Sequence, residues 1–424
     1  MRILLGLDEI SNDLQNLKRG FDLVGVSSDI ILLSDYKFGV DESLITQNWN
    51  IILAKYAIKM YSKYKKKSLL KHFFSLFSWS ARFVLFVRCL LTYDVFILMA
   101  YSRFLGYKEL PILKIFNKKV IFQVMGSDFR PPYLNGSFAE ANIADIYQLT
   151  LETKRRVEMI EKYASYIISY KAASHFQTLP YIDYRYFGLP TDYSYIQMKN
   201  IPISYHKKRT VKIVHAPTNQ AAKGTSVVVN TIESLKKKYD IEFVLLFNMS
   251  NQEVLCHIAT CDFAIDQIYS GGGYMAGFSR EVAFFKKPVI VTGYDTPYFY
   301  DGFEDKEKIP PVVCGLPEEL ESLIVRLLED KQYCIAMGEK AYRFVMGEWN
   351  PLAIVKKIKK LIDGDVPKKW WCNPLENERL WHYGRSNQAA QEFLREYITE
   401  KGKCALLLKH NPKLEKNVLD FCEI

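Results

Sequence analysis

This chain has few of the residues that hold metals and none of their usual arrangements. Seven histidines and eight cysteines are scattered over 424 positions, with no CxxC pair and no His/Cys cluster at ligand spacing. That pattern gives a metal site no support. Cys89, Cys256, Cys261, Cys314, Cys334, Cys372, Cys404 and Cys422 read as reduced thiols of a cytoplasmic protein, not as a disulfide framework. A long apolar run free of charge is also missing. The nearest, Phe73 to Leu91, carries Arg82 and Arg88, which are costly in hydrocarbon. The opening MRILLGLDEI reaches an acidic pair too soon for a secretory signal and reads as a first buried strand. Internal repeats and low-complexity tracts are absent as well.

What is present is a chain long enough for two domains, with 49% hydrophobic and 25% charged residues, as in ordinary globular proteins. The net charge of +10 is less ordinary. Much of the excess lies at Lys63, Lys65, Lys66, Lys67, Lys71, Arg82 and Arg88, and again at Lys207, Lys208 and Arg209. Such clusters favour phosphate-rich partners: nucleotides, nucleic acid or an anionic membrane. No recognition motif accompanies them, which places nucleic acid last.

Short apolar runs at Ile3 to Leu7, Asp29 to Ser34, Asp94 to Met99, Val120 to Val124 and Tyr166 to Ser169 alternate with longer helical or polar segments. This predicts a parallel α/β sheet. A first helix is expected from near Glu9 to Gly20, and a long basic, aromatic one from Lys59 to Leu91. Phe73, Phe77, Ala81, Val84 and Arg88 would share one face of that second helix. It reads first as a core-facing helix with a solvated basic face, and second as an interfacial membrane helix. The pattern breaks at Tyr, Pro and basic residues before a second alternation starts at Val211. The domains expected are therefore 1–195, a linker 196–210, 211–364, and an extension 365–424.

The stretch DFAIDQIYSGGGYMAGFSREVAFFKKPVIVT, Asp262 to Thr292, reads strand, glycine loop, helix, strand. Gly271, Gly272 and Gly273 can take backbone angles closed to other residues, and the following helix offers free N–H groups to an anion. Glu281 would accept hydrogen bonds from sugar or ribose hydroxyls, since a carboxylate repels phosphate. Alone, this is as readily a tight connection with a solvated Glu. A second strand ends in His215-Ala216-Pro217, followed by Lys223-Gly224 at the mouth of a helix. By itself Lys223 would be a solvated lysine. On the same sheet edge as the glycine loop, the two make a nucleotide site.

These motifs together resemble the retaining GT-B-fold glycosyltransferases of the family 4-like group. The resemblance is carried by HAPTN, then KG, IEFVLLF, NQEVLCHIATCDFAIDQ, the glycine loop, Glu281 and KKPVIV, with weaker support from TYDVFILMAYSRF and NKKVIFQVMGSDFR. It implies two facing Rossmann-like domains with an inter-domain cleft, a nucleotide-diphosphate sugar as donor substrate, no metal and no other cofactor. It further implies Lys223 on the diphosphate, His215, Gly224 and Tyr274 around the donor, Gly271 to Gly273 beside the sugar diphosphate, Glu281 on the ribose, and Asp128 at the cleft. Asp128 is equally readable as a turn cap.

Three positions depart from the family pattern. Gly273 stands where a glutamate is often found, Thr218 where an arginine is common, and Met125 where many relatives have histidine. The reading is a glycosyltransferase acting on a glycan or lipid-linked acceptor, as in assembly of bacterial surface polysaccharide or glycolipid, at the inner face of the plasma membrane. A non-catalytic partner of an active transferase and a sugar-nucleotide epimerase are its rivals.

Overall fold

The computed structural model describes the chain except for residues 35–40, 65–67, 195–209, 272–274, 302 and 304. The strands are β1 (Ile3–Leu7), β2 (Ser28–Leu32), β3 (Val95–Met99), β4 (Lys119–Gln123), β5 (Tyr166–Ser169), β6 (Tyr181–Asp183), β7 (Val211–His215), β8 (Ile241–Leu245), β9 (Phe263–Gln267), β10 (Val289–Thr292), β11 (Val313–Gly315) and β12 (Trp371–Cys372). They form a seven-stranded sheet in the order β12-β6-β5-β4-β3-β1-β2 and a five-stranded sheet in the order β11-β10-β9-β7-β8. All pairs are parallel except β12 with β6. The inner strands are near-continuous apolar runs because helices cover both faces. Strand order reverses beside β1 in one sheet and beside β7 in the other, the places where α/β sheets open a crevice at their carboxyl ends.

Element types follow the sequence closely, and the boundaries shift for local reasons. The first helix is Asp13–Leu23 and begins later than expected, because Glu9 turns back to accept from the backbone N–H groups of Leu14 and Gln15. The single helix expected from Lys59 to Leu91 is two, Trp49–Tyr64 and Ser68–Thr92, packed on each other. Lys65, Lys66, Lys67 and the expected linker, with Lys207, Lys208 and Arg209, lie outside the described residues.

The face of the Ser68–Thr92 helix turned to the core also differs from the expected one. Ala81 is buried, but Phe73 and Val84 are exposed, and Leu85, Phe86, Cys89 and Leu90 enter the core instead. Contact with the sheet is concentrated in its last turns, leaving the start of the helix apolar and outward. By length and composition this helix, from Leu70 to Thr92, could cross a membrane, with a mean hydropathy of 1.5 over its best window.

The end of the chain returns to the N-terminal domain. The helix Pro351–Asp363 lies along Asp13–Leu23, so close that a Cβ on Gly20 would stand 2.6 Å from the Pro351 carbonyl oxygen. Beyond it, β12 extends the first sheet, and Leu394, Tyr397, Leu414 and Val418 share one core with Ile146 and Val157. Residues 365–424 thus bury their apolar side against the N-terminal domain.

Candidate functional site at the domain cleft

A cavity of about 350 Å³ opens between the carboxyl ends of the two sheets. Ser11 after β1 and Met125 to Ser127 after β4 line one side; Ala216 after β7, with Gln267, Ser270 and Gly271 after β9, line the other.

Lys223 lines the cavity from the end of the short helix Gln220–Lys223. Its Nζ donates to Asp266 Oδ1 at 2.5 Å and to Gln267 Oε1 at 3.3 Å. Burial pulls the lysine pKa down, but Asp266 and its hydrogen bond outweigh this and the net shift is upward. Lys223 therefore stays charged, and of its three donors one is left for a ligand. Asp266, fully buried at the end of β9, also accepts from Ser279 Oγ at 2.5 Å, fastening the helix Gly277–Phe284 to the lysine. Gly224 follows at φ 69°, where a Cβ would meet Ile268 at 2.8 Å, so only glycine lets the chain turn into the helix Thr225–Leu235. Gly271 sits on the cavity wall, while Gly272, Gly273 and Tyr274 lie outside the described residues.

Four of the expected site residues do not line the cavity: Gly224, which only turns the chain behind it, and His215, Asp128 and Glu281. His215 is buried between strands, with Nδ1 donating to the Ile265 carbonyl at 2.7 Å and Nε2 3.0 Å from Thr225 Oγ1. Burial lowers its pKa to about 4, so it is a neutral ring that ties β7 to β9. Asp128 accepts from the Met125 N–H at 2.9 Å, which is the turn-cap alternative, and burial pushes it up to about 7. It shapes the loop that presents Met125 and Ser127.

Glu281 faces the other side of its helix. Its Oε1 accepts from Asn251 at 2.9 Å and lies 3.4 Å from the Tyr193 hydroxyl, and burial lifts its pKa to about 7 against these bonds. Next to it, Arg280 is completely buried and ion-paired with Asp13 of the N-terminal domain, and donates to the Pro190 carbonyl at 2.8 Å. This fixes one domain to the other beneath the cavity.

Sequence reasoning passed over Asp266, although a carboxylate closing a buried strand at a sheet's carboxyl edge was a readable signal. Arg130, Trp381 and Tyr383 were also passed over, and all three line the cavity. Nothing local in the sequence announced the last two, which come from the far end of the chain.

No family model and no curated protein matches this chain. Solved structures do. A trehalose-6-phosphate synthase, studied with bisubstrate glycomimetics for glycosyl transfer with retention, matches at TM-score 0.53 and 8% identity, covering 85% of this chain and 99% of that one. The catalytic domain of starch synthase IV from Arabidopsis thaliana, bound to ADP and acarbose, matches at TM-score 0.50 and 8% identity, covering 86% and 98%. The chain has the GT-B fold. Two Rossmann-like domains face one another across a cleft, and the GT-B cavity here takes Lys223 and Gly271 from one domain and Arg130 from the other.

Proposed function

We propose that this protein is a metal-independent, retaining glycosyltransferase that moves a sugar from a nucleotide-diphosphate donor to an acceptor hydroxyl. The observation that carries the reading is a charged Lys223 beside Gly271 in a cavity walled by both domains of a GT-B fold. The acceptor oxygen bonds to the anomeric carbon as the bond to the diphosphate breaks. Lys223 offsets charge arriving on the leaving diphosphate, and the acceptor proton passes to a phosphate oxygen of that group. Met125, at the wall where many relatives have histidine, offers no base, so the leaving group supplies one. Transfer with retention and ADP binding by the two structural neighbours support this choice.

The acceptor in this reading is lipid-linked, as in assembly of bacterial surface polysaccharide or glycolipid, and the protein works at the inner face of the plasma membrane. Trp49, Ile52 and Tyr56 on one helix and Phe73, Leu76, Trp79 and Phe83 on the next are exposed together with Lys59, Lys63 and Lys71. Apolar side chains beside lysines fit an anionic bilayer interface. Co-sedimentation with phosphatidylglycerol vesicles but not phosphatidylcholine vesicles is expected, weakened in Phe73→Ser/Trp79→Ser. Equal binding to neither would remove the membrane from the account.

The function itself is tested by offering the protein labelled nucleotide sugars with a lipid extract. Label should leave one donor and enter the lipid fraction, with loss of transfer in Lys223→Met. Label remaining on nucleotide as an altered sugar would favour the epimerase reading. No turnover of any donor would favour the non-catalytic partner, the reading to which Met125 gives weight.

A further inference from the structure

Four cations line the cleft cavity: Arg130, Lys171, Arg185 and Lys223. Arg185 is held by Asp183 at 2.7 Å and Lys223 by Asp266. Arg130 is only 5% exposed, yet no carboxylate among the described residues pairs with it. Its Nε donates to the Ala172 carbonyl at 3.3 Å, and the guanidinium lies 4.7 Å from the centre of the Tyr383 ring. The far end of the fork points at Gly271, with Nη2 3.6 Å from where a Cβ on that residue would stand. A guanidinium cannot shed its proton to suit a buried setting, and an aromatic face covers only one side of its five donors. On the opposite wall the Ser270 hydroxyl is buried with no hydrogen-bond partner.

Tyr383 is itself placed with care. It belongs to a strap that touches both domains: the Tyr383 N–H donates to the Leu134 carbonyl at 3.0 Å, the Gly136 N–H to the Tyr383 carbonyl at 2.7 Å, and the Gly384 N–H to the Tyr269 carbonyl at 2.8 Å. Arg130 lies over this ring, and Lys223 of the other domain lines the same cavity.

We propose that Arg130 holds two oxygens of a phosphate group in the cavity, with Tyr383 as the positioning residue that keeps its fork turned toward Gly271. The phosphate belongs either to the donor diphosphate or to a phosphorylated acceptor. Only the naming of these two sources rests on the transferase reading; the anion site itself does not.

Inorganic pyrophosphate is the probe, titrated calorimetrically into the full chain and its variants. Arg130→Gln should weaken binding about tenfold or more, the loss expected for hydrogen bonds between charged groups, while the melting temperature holds. Arg130→Lys should fall between, having charge without a fork, and it serves as the reading should Arg130→Gln fail to fold. Tyr383→Phe should match the parent and Tyr383→Ala should not.

A repeat with UDP, GDP or ADP at saturation separates the sources. Competition with pyrophosphate assigns the donor diphosphate, and simultaneous binding assigns an acceptor phosphate. Arg130→Gln within twofold of the parent, or no pyrophosphate binding by the parent, would overturn the proposal. If pyrophosphate binds through Arg130 while no nucleotide binds, the transferase reading falls and the anion site stands. If nucleotide binds the parent and Arg130→Gln alike and pyrophosphate is equally indifferent to the change, the reverse holds.

Discussion

In the C-terminal domain the cations and polar groups of the cleft wall come from two short stretches, each running directly off a strand, β7 through Lys223 and β9 through Gly271, with Ala276 to Phe278 and Phe299 beside them. The N-terminal half is assembled from Ser11, Ser127, Arg130, Lys171 and, from far along the chain, Trp381 and Tyr383. The first half is a local device, in which strand, loop and helix N-terminus arrive together and a buried Asp266 aligns the lysine. The second depends on long-range packing. One side should therefore fail by losing a charge, and the other by losing a fit.

The largest expected effects come from the buried charges. Arg280→Met leaves Asp13 enclosed without its partner and should cost about 3–5 kcal/mol in urea unfolding, with the two domains separating first. Lys223→Met exposes Asp266 to the same penalty, and adding Asp266→Asn should recover part of the stability while restoring no nucleotide binding. Equal stability of the single and double variants would show that the pair is not what fixes this half.

That contrast also explains what the sequence made readable. Strands, the double α/β alternation, Lys223, the turn at Gly224 and the place of Gly271 follow from spacing within about thirty residues, where periodicity and turn chemistry act. Asp128 and Glu281 were legible as polar residues near the cleft, but their direction was not. A loop cap and a helix face are settled by what packs behind them, Met125 in one case and Asn251 with Tyr193 in the other. The exposed start of the helix Ser68–Thr92 was misassigned because its apolar stripe has the same period as a core face. The strap at Tyr383 carries no local pattern at all.

A smaller effect tests the strap. Gly136→Ala would put a Cβ 2.3 Å from the Gly384 carbonyl oxygen, and should cost about 1–3 kcal/mol and loosen residues 381–385 to proteolysis. A variant as stable and resistant as the parent would mean the tail is not held there.

The most gradual effect is a pH dependence. Burial raises Asp128 and Glu281 to about 7 from 3.8 and 4.5. Between those limits the folded chain binds protons the unfolded chain has released. Their contribution is full below about pH 4 and is lost as pH rises to 7, by up to about 1.4 kcal/mol per pH unit for each group. Glu281→Gln should flatten the slope of stability against pH over this range. An unchanged slope would place its carboxylate in a wetter setting than the one between Asn251 and Tyr193.

The most direct measurement is a thermal-shift screen with UDP, GDP, ADP and CMP on the parent, Lys223→Met/Asp266→Asn and Arg130→Gln. A ligand at a hundred times its dissociation constant adds about 2.7 kcal/mol, well within reach of the method. A cleft built for a nucleoside diphosphate predicts a rise in melting temperature with at least one diphosphate, abolished in the Lys223 variant. No rise with any nucleotide would contradict it.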